Sequence, residues 1–436
     1  MTEKYEIISE NEAQEIETNS FNTTSLEIDE DFSELIAGLF SNDKPASEDK
    51  VMVPEELDAD KEYVGDIYGF IRMDSGYHVI FSWEGKDFPE TVGAKKIGSV
   101  GKYPELDGEY AIYGQLKNGE VSYYLVNSET RLADDGEVIG AVSLRSDIYT
   151  MTQNLFSRNS GLIETNWLDS KCAVIAGCGS VGSLVALQLA RSGVGRFVLF
   201  DMDCVEIHNV CRHQCSLSDI GRFKVDAIEE RILRINPNAQ VKKFYSRIQD
   251  TPVEKYSEWI NSRDAIFIGC CDNHVGDAYA CDYAYEFNAP FVSLLYSTRA
   301  TIGEIFMALP ERKDVCFRCA YNTKIKEDIA EERRNHTYVG EENKDTVKFF
   351  PGLDVDIEYG VSVLDKIALD ILNRFHRDYE IKIANKFRQL AFFAGTSSKS
   401  NMDEFWSTVL KEPLKIYSAA VNDDCRLCEH CKRLEE

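Results

Sequence analysis

No apolar run in these 436 residues approaches the roughly 20 that a bilayer-spanning helix needs, which argues against a transmembrane helix. No secretory signal peptide is evident either. Basic residues are scarce: 48 Lys and Arg stand against 75 Asp and Glu, a net charge of −27. A polyanion would be repelled by such a chain unless its charge were strongly segregated, so nucleic acid is not an expected partner. The 13 cysteines are an odd number, several fall on presumed core strands, and no secretory context is apparent, so a disulfide framework is not expected. The composition fits a soluble cytoplasmic protein. No internal repeat is evident.

Much of the acidity is local. Residues 1–60 hold 18 Asp and Glu against 3 Lys. The span 1–50, also rich in Ser, Thr and Asn, reads as a disordered acidic tail. One island breaks it: Phe32, Leu35, Ile36, Leu39 and Phe40 share one helical face, fit to dock in a partner's groove or on the chain's own globular part.

Residues 51–147 read as a small antiparallel β-rich domain, sheet or barrel, of unassigned role. Aromatic and β-branched strands at 63–71, 77–81, 109–114 and 121–126 are separated by turn signals such as Asp74-Ser75-Gly76 and Lys117-Asn118-Gly119. From about 150 to 436, strands alternate with helical segments, which implies a doubly wound α/β domain with ligand at the strands' carboxyl ends. A helix over 360–375 carries the apolar face of a core or dimer helix.

The densest signal lies between Cys172 and Lys224. The apolar strand Ala173–Ala176 feeds Gly177-Cys178-Gly179-Ser180-Val181-Gly182 and then a helical run. In a nucleotide-binding turn of this form, Gly177 permits the tight turn, Gly179 lets backbone N–H groups approach a phosphate, and Gly182 lets helix and strand pack closely. The strand Phe197–Phe200 ends in Asp201-Met202-Asp203, a carboxylate just over twenty residues past the turn, where a ribose hydroxyl would sit. Spacing alone would allow NAD. The cations that follow suit ATP better: Asn209, Arg212, and Lys224 in Gly221-Arg222-Phe223-Lys224, with another strand ending at Cys270-Cys271-Asp272-Asn273. Hydride transfer needs no such set, whereas attack on an α-phosphate needs charge neutralised and a carboxylate for Mg²⁺. His208 and His213 match no role and read as structural, and Cys270-Cys271 as apolar packing.

In this order these motifs resemble the ThiF/MoeB-type adenylyltransferases, which include the catalytic cores of ubiquitin-activating enzymes. The resemblance covers roughly residues 155–436. It implies a Rossmann-like adenylation domain that activates the C-terminus of a small ubiquitin-like or sulfur-carrier protein with ATP, releasing pyrophosphate. By position it implies that Asp201 holds the ribose, with Asp203 and Asn273 beside the nucleotide; that Asn209, Arg212 and Lys224 contact the phosphates; and that Asp272 binds Mg²⁺. An arginine before the first strand, often donated across a homodimer, corresponds to Arg158.

Cys316-Phe317-Arg318-Cys319 and Cys425-Arg426-Leu427-Cys428-Glu429-His430-Cys431 have the spacing by which paired thiolates surround one tetrahedral Zn²⁺. Either Cys425 with Cys428 or Cys428 with Cys431 completes a CxxC. The family resemblance, with Asn422-Asp423-Asp424 just before, favours Cys316, Cys319, Cys425 and Cys428, with Cys431 or His430 as the alternative. Members that pass the activated protein on as a thioester use a cysteine in the crossover segment. Here that segment, about 320–350, has none, and no cysteine occurs between Cys319 and Cys425. The reaction therefore stops at the adenylate, or a hydroxyl or amine such as Thr323, Lys324, Lys326 or Thr337 replaces the thiol. The remaining alternatives are adenylation of a short peptide and, further off, an NAD(P)-dependent oxidoreductase. A conjugating enzyme is an optional further partner.

Overall fold

The computed structural model describes residues 49–83, 92–106, 110–159, 161–163, 165–296, 302–328, 352–394 and 415–417. The acidic-tail island, most of the crossover segment, and Cys425, Cys428, His430 and Cys431 lie outside the described residues.

The N-terminal part is a closed barrel of β1 (Lys50–Pro54), β2 (Gly65–Phe70), β3 (Tyr77–Trp83), β4 (Lys95–Val100), β5 (Tyr110–Lys117), β6 (Glu120–Asn127) and β9 (Val142–Tyr149). The small pair β7 (Arg131–Leu132) and β8 (Val138–Ile139) precedes β9, and a one-turn helix, α1 (Glu55–Ala59), follows β1. Asn118 and Gly119 both take positive φ, 55° and 80°, so β5 and β6 join through the two-residue turn whose twist suits a hairpin. Val51, Ile67, Ile80, Ile112 and Leu125 fill the interior. The expectation of an antiparallel domain needs correction: β1 pairs in parallel with both β3 and β9, and β4 with β5. Turn residues mark only hairpins between consecutive strands, and closure of a barrel joins strands far apart in sequence.

Two short helices, α2 (Met151–Leu155) and α3 (Thr165–Leu168), lead into the second part. Its sheet runs β12 (Gln240–Phe244), β11 (Arg196–Phe200), β10 (Cys172–Ala176), β13 (Ala265–Gly269), β14 (Phe291–Tyr296), β15 (Ile302–Ala308), β16 (Leu390–Ala394), β17 (Lys415–Tyr417). β12 to β14 are parallel, and β15, β16 and β17 add antiparallel edges. Side chains on the central strands alternate between two cores. Ala173, Ile175, Phe197, Leu199, Ile266 and Ile268 face the helices α4 (Ser180–Ser192), α5 (Lys224–Ile235) and α8 (Asp354–Asn373). Val174, Val198, Phe200, Ala265 and Phe267 face α6 (His274–Glu286) and the single turn α7 (Phe317–Ala320). Every residue of β10 and β13 is buried, so these strands read as unbroken apolar runs. α8 is a core helix: Val361, Leu364, Ile367, Ala368, Ile371 and Leu372 are all buried against the sheet and α4.

The strand order reverses at β10. The chain crosses from β10 through α4 to β11 on one side, then returns past β10 to β13 on the other. In open parallel sheets a crevice forms outside the strand ends at such a switch point, and ligands bind there. At the opposite end the two strands are tied by Lys171, fully buried, whose Nζ meets Asp264 at 2.5 Å. Among the described residues no helix is long and apolar enough to cross a membrane.

How closely α4 can approach the end of β10 sets the shape of the crevice. A Cβ on Gly182 would lie 1.9 Å from the Gly177 carbonyl oxygen, which is backbone and cannot swing aside. Gly182→Ala is therefore expected to cost about 3 kcal/mol through overpacking. Urea denaturation checks this: the midpoint should fall at an unchanged slope.

Candidate functional site

Gly177 follows β10 with φ +93°, a conformation side chains rarely adopt, and a Cβ there would also meet the Cys270 carbonyl oxygen at 2.5 Å. The turn after β10 thus lies directly against the end of β13. Gly179 differs in kind, because a Cβ on it would meet nothing within 4 Å. It is the N-cap of α4 and has no side chain to cap the helix. The first N–H groups of α4, with the positive end of its dipole, therefore face the open side of the turn.

Asp201, at the end of β11, points back at this turn. Its Oδ2 accepts the Cys178 N–H at 2.8 Å and its Oδ1 accepts the Asp203 N–H at 2.8 Å. Burial pushes its pKa up, against the pull of Lys224. Lys224 opens α5 and meets Asp203 at 2.9 Å. Its burial disfavours the ammonium, but Asp201 and Asp203 outweigh it and hold the lysine charged. A carboxylate pair and one cation are thus gathered beside the glycine turn.

The second half of the crevice comes from β13. Asp272 takes φ +54° and is exposed, yet protein atoms crowd it as they would a group on the floor of a cleft. That crowding raises its pKa, and the Arg212 charge opposes the rise. Arg212 is therefore within electrostatic reach of Asp272, across the crevice from the strand that carries it. Asn209 turns its chain toward Arg212: its Oδ1 accepts the Glu206 N–H at 2.9 Å, and its carbonyl accepts the Arg212 N–H at 3.0 Å. Asn273 is committed to the fold. Its Oδ1 caps α6 by accepting the Gly276 N–H at 2.7 Å, and its amide donates to the Cys271 carbonyl at 2.8 Å.

Within one chain Arg158 is set apart from this group. It is exposed after α2, and its neighbour Asn159 donates to the Arg191 carbonyl in the last turn of α4. The glycine turn lies at the other end of that helix, about 18 Å away at ~1.5 Å per residue. Cys316 is the N-cap of α7 and Cys319 lies within that turn; both are buried. Among the described residues no group of three or more potential metal ligands occurs.

Asp277 was not among the sequence candidates. Its Oδ1 accepts the Cys271 N–H at 3.1 Å, bracing the loop that presents Asp272. Its place was legible in principle, since it shares the buried face of α6 with Ala278, Cys281 and Ala284. Cys270 and Cys271 are packing residues as expected, their thiols pushed well up by burial. Burial pushes Asp277 up to about 7, although the Cys271 N–H favours its charged form. An unfolded Asp loses its proton near 3.8, so between that pH and about 7 the folded state binds more protons. Stability is full below the unfolded value and is lost as pH rises through the folded one. Asp277→Asn should therefore raise the denaturation midpoint at pH 8 relative to wild type, with a smaller gain at pH 5. Paired urea titrations at the two pH values check this, and an equal effect at both would count against it.

Three similarities bear on this site. Ubiquitin-like modifier-activating enzyme 5 of Culex quinquefasciatus is 29% identical over 178 residues, which is 38% of this chain and 44% of that protein. The tRNA threonylcarbamoyladenosine dehydratase of Bacillus subtilis is 44% identical over 98 residues, 21% of this chain and 39% of that protein. The crystal structure of E. coli MccB with ATP aligns at 18% identity and a TM-score of 0.45, covering 63% of this chain and 74% of that one. The chain spans less than half the length of these two curated relatives. The ThiF family model matches residues 154–402, more than half of the chain and the whole of the crevice just described, and on that match the chain belongs to the ThiF family.

Proposed function

We propose that this protein adenylates the C-terminal carboxylate of a small ubiquitin-like or sulfur-carrier protein at the expense of ATP. The observation that carries the reading is the charge gathered round an open glycine turn: Asp201, Asp203 and Lys224 on one side, Arg212 and Asp272 on the other. Family membership and the relatives named ubiquitin-like modifier-activating enzyme 5 support it. In the reaction a carboxylate oxygen forms a bond to the α-phosphorus, the α–β bridging P–O bond breaks, and pyrophosphate leaves with the electron pair. The acyl-adenylate remains. Asp201 would hold the ribose, the α4 N-terminus the phosphates, and Asn209, Arg212 and Lys224 the charge that develops at the α-phosphorus. Asp272, a crowded yet solvent-open carboxylate, suits a hard cation. Mg²⁺ held there would neutralise phosphate charge.

Arg158 fits this reading as a residue lent to a second copy's site, since it faces solvent at the far end of α4. The net charge of −27 disfavours a tRNA substrate, despite the dehydratase similarity. With no cysteine between Cys319 and Cys425, a crossover thioester is unavailable. The product is then the adenylate, or an ester or amide formed from it.

ATP–pyrophosphate exchange with candidate carriers tests the reading. Arg212→Ala, Lys224→Ala and Asp272→Ala should each slow exchange by roughly 10²-fold while the protein stays folded. Exchange at the wild-type rate in all three would refute the site, and exchange with short peptides but no carrier would move the substrate class to peptides.

A structural zinc at Cys316, Cys319, Cys425 and Cys428 belongs to the same reading. Metal content tests this part of the reading. About one Zn²⁺ per chain is expected by elemental analysis, with Cys316→Ser lowering stability by several kcal/mol. Metal-free protein whose melting temperature is unchanged by chelator would refute zinc.

A further inference from the structure

The peptide at Cys178 is gripped at both ends. Its N–H is donated to Asp201 Oδ2 at 2.8 Å, and its carbonyl oxygen lies 2.7 Å from His213 Nε2. The other ring nitrogen fixes the tautomer. His213 Nδ1 accepts the Cys215 N–H at 3.1 Å, so the ring proton sits on Nε2 and is donated to the Cys178 carbonyl. The ring is buried, 5% exposed, and burial holds it neutral, with its pKa lowered to about 4. Both nitrogens are therefore used in fixed directions.

The gripped residue is not an incidental one. Cys178 sits between Gly177, in its left-handed conformation, and Gly179, the uncapped N-cap of α4. Its own side chain is fully buried in the core, so the residue has little freedom left. Rotation of the Cys178–Gly179 peptide would swing the Gly179 N–H away from the open side of the turn. The His213 bond to the carbonyl opposes that rotation. The same bond joins two parts of the crevice, because His213 directly follows Arg212, and both backbone N–H groups bond the Asn209 carbonyl, at 2.9 and 3.0 Å.

We infer that His213 is a positioning residue for nucleotide binding: its ring fixes the Cys178 carbonyl, and with Asp201 on the Cys178 N–H it aims the α4 N-terminus at the phosphates and sets Arg212 in register with them. The inference deepens the adenylation reading and rests on the glycine turn binding a nucleotide. It adds a positioning role to the structural reading of His213 reached from sequence.

The test is ATP affinity of the full-length protein, by titration calorimetry with MgATP, for wild type, His213→Phe and His213→Gln. Phenylalanine keeps the ring volume and loses both hydrogen bonds, while glutamine can donate to the Cys178 carbonyl and accept the Cys215 N–H. Loss of a buried hydrogen bond at a binding turn predicts an affinity about 10- to 100-fold weaker in His213→Phe. His213→Gln should bind within about threefold of wild type, even if its melting temperature falls as far as that of the phenylalanine variant. A role in folding alone would instead lower both melting temperatures and leave the affinity of the folded protein unchanged. Undiminished binding by folded His213→Phe overturns the inference, as does folded His213→Gln no better than His213→Phe. Wild-type protein that binds no ATP overturns the nucleotide reading itself, and this inference with it.

Discussion

The close approach of α4 to the end of β10 is the constraint on which the rest of the crevice depends. It needs glycine at 182, where a Cβ would strike the Gly177 carbonyl, and glycine at 177, where a Cβ would strike the end of β13. With both in place, the turn, the first N–H groups of α4 and the Cys270–Asp272 loop come within reach of one small molecule. A single added methyl at either position would separate them. The apolar bulk of β10 and β13 supplies the stability against which so tight an approach is held.

Around that contact the polar groups are arranged in opposed pairs. Asp201 and Lys224 are each driven toward neutrality by burial and drawn toward charge by the other; burial prevails at Asp201, whose pKa is raised, and the carboxylates prevail at Lys224. At Asp272 burial raises the pKa and the Arg212 charge opposes the rise, while the carboxylate keeps contact with solvent. Behind these lies a supporting layer of groups that hold backbone: His213 on Cys178, Asp277 on Cys271, Asn273 on Gly276. Charge faces the ligand space, and neutral or neutralised groups brace the loops that carry it. The order follows from dielectric, because a buried group spared its charge costs less.

The barrel poses a different question. Its interior is mostly apolar, with His78 and Ser82 buried beside Ile80 on β3, and its closure uses parallel pairings that no local turn could have announced. Among its described residues it carries neither of the phosphate-handling features of the second part, a glycine turn at a helix N-terminus or a cluster of cations beside strand-end carboxylates.

Sequence alone determined what depends on local pattern. The glycine spacing at 177, 179 and 182, the strand-end carboxylates Asp201 and Asp272, the cations Arg212 and Lys224, and the apolar face of α8 were all legible, because backbone conformation, β-strand burial and helical period are written within a few residues. The hairpin at Asn118-Gly119 was legible for the same reason. Only the tertiary structure decided what each polar group touches. Asn273, a nucleotide candidate by motif, spends its side chain as a helix cap, and His213, passed over, holds a carbonyl 35 residues away. Asp277 went unnoticed because its partner is a backbone N–H on the preceding loop, and Arg158 proved to lie at the far end of α4 from the turn. A hydrogen bond between segments distant in sequence leaves no periodicity and no spacing rule behind, so the fold must be in hand before such a contact can be read.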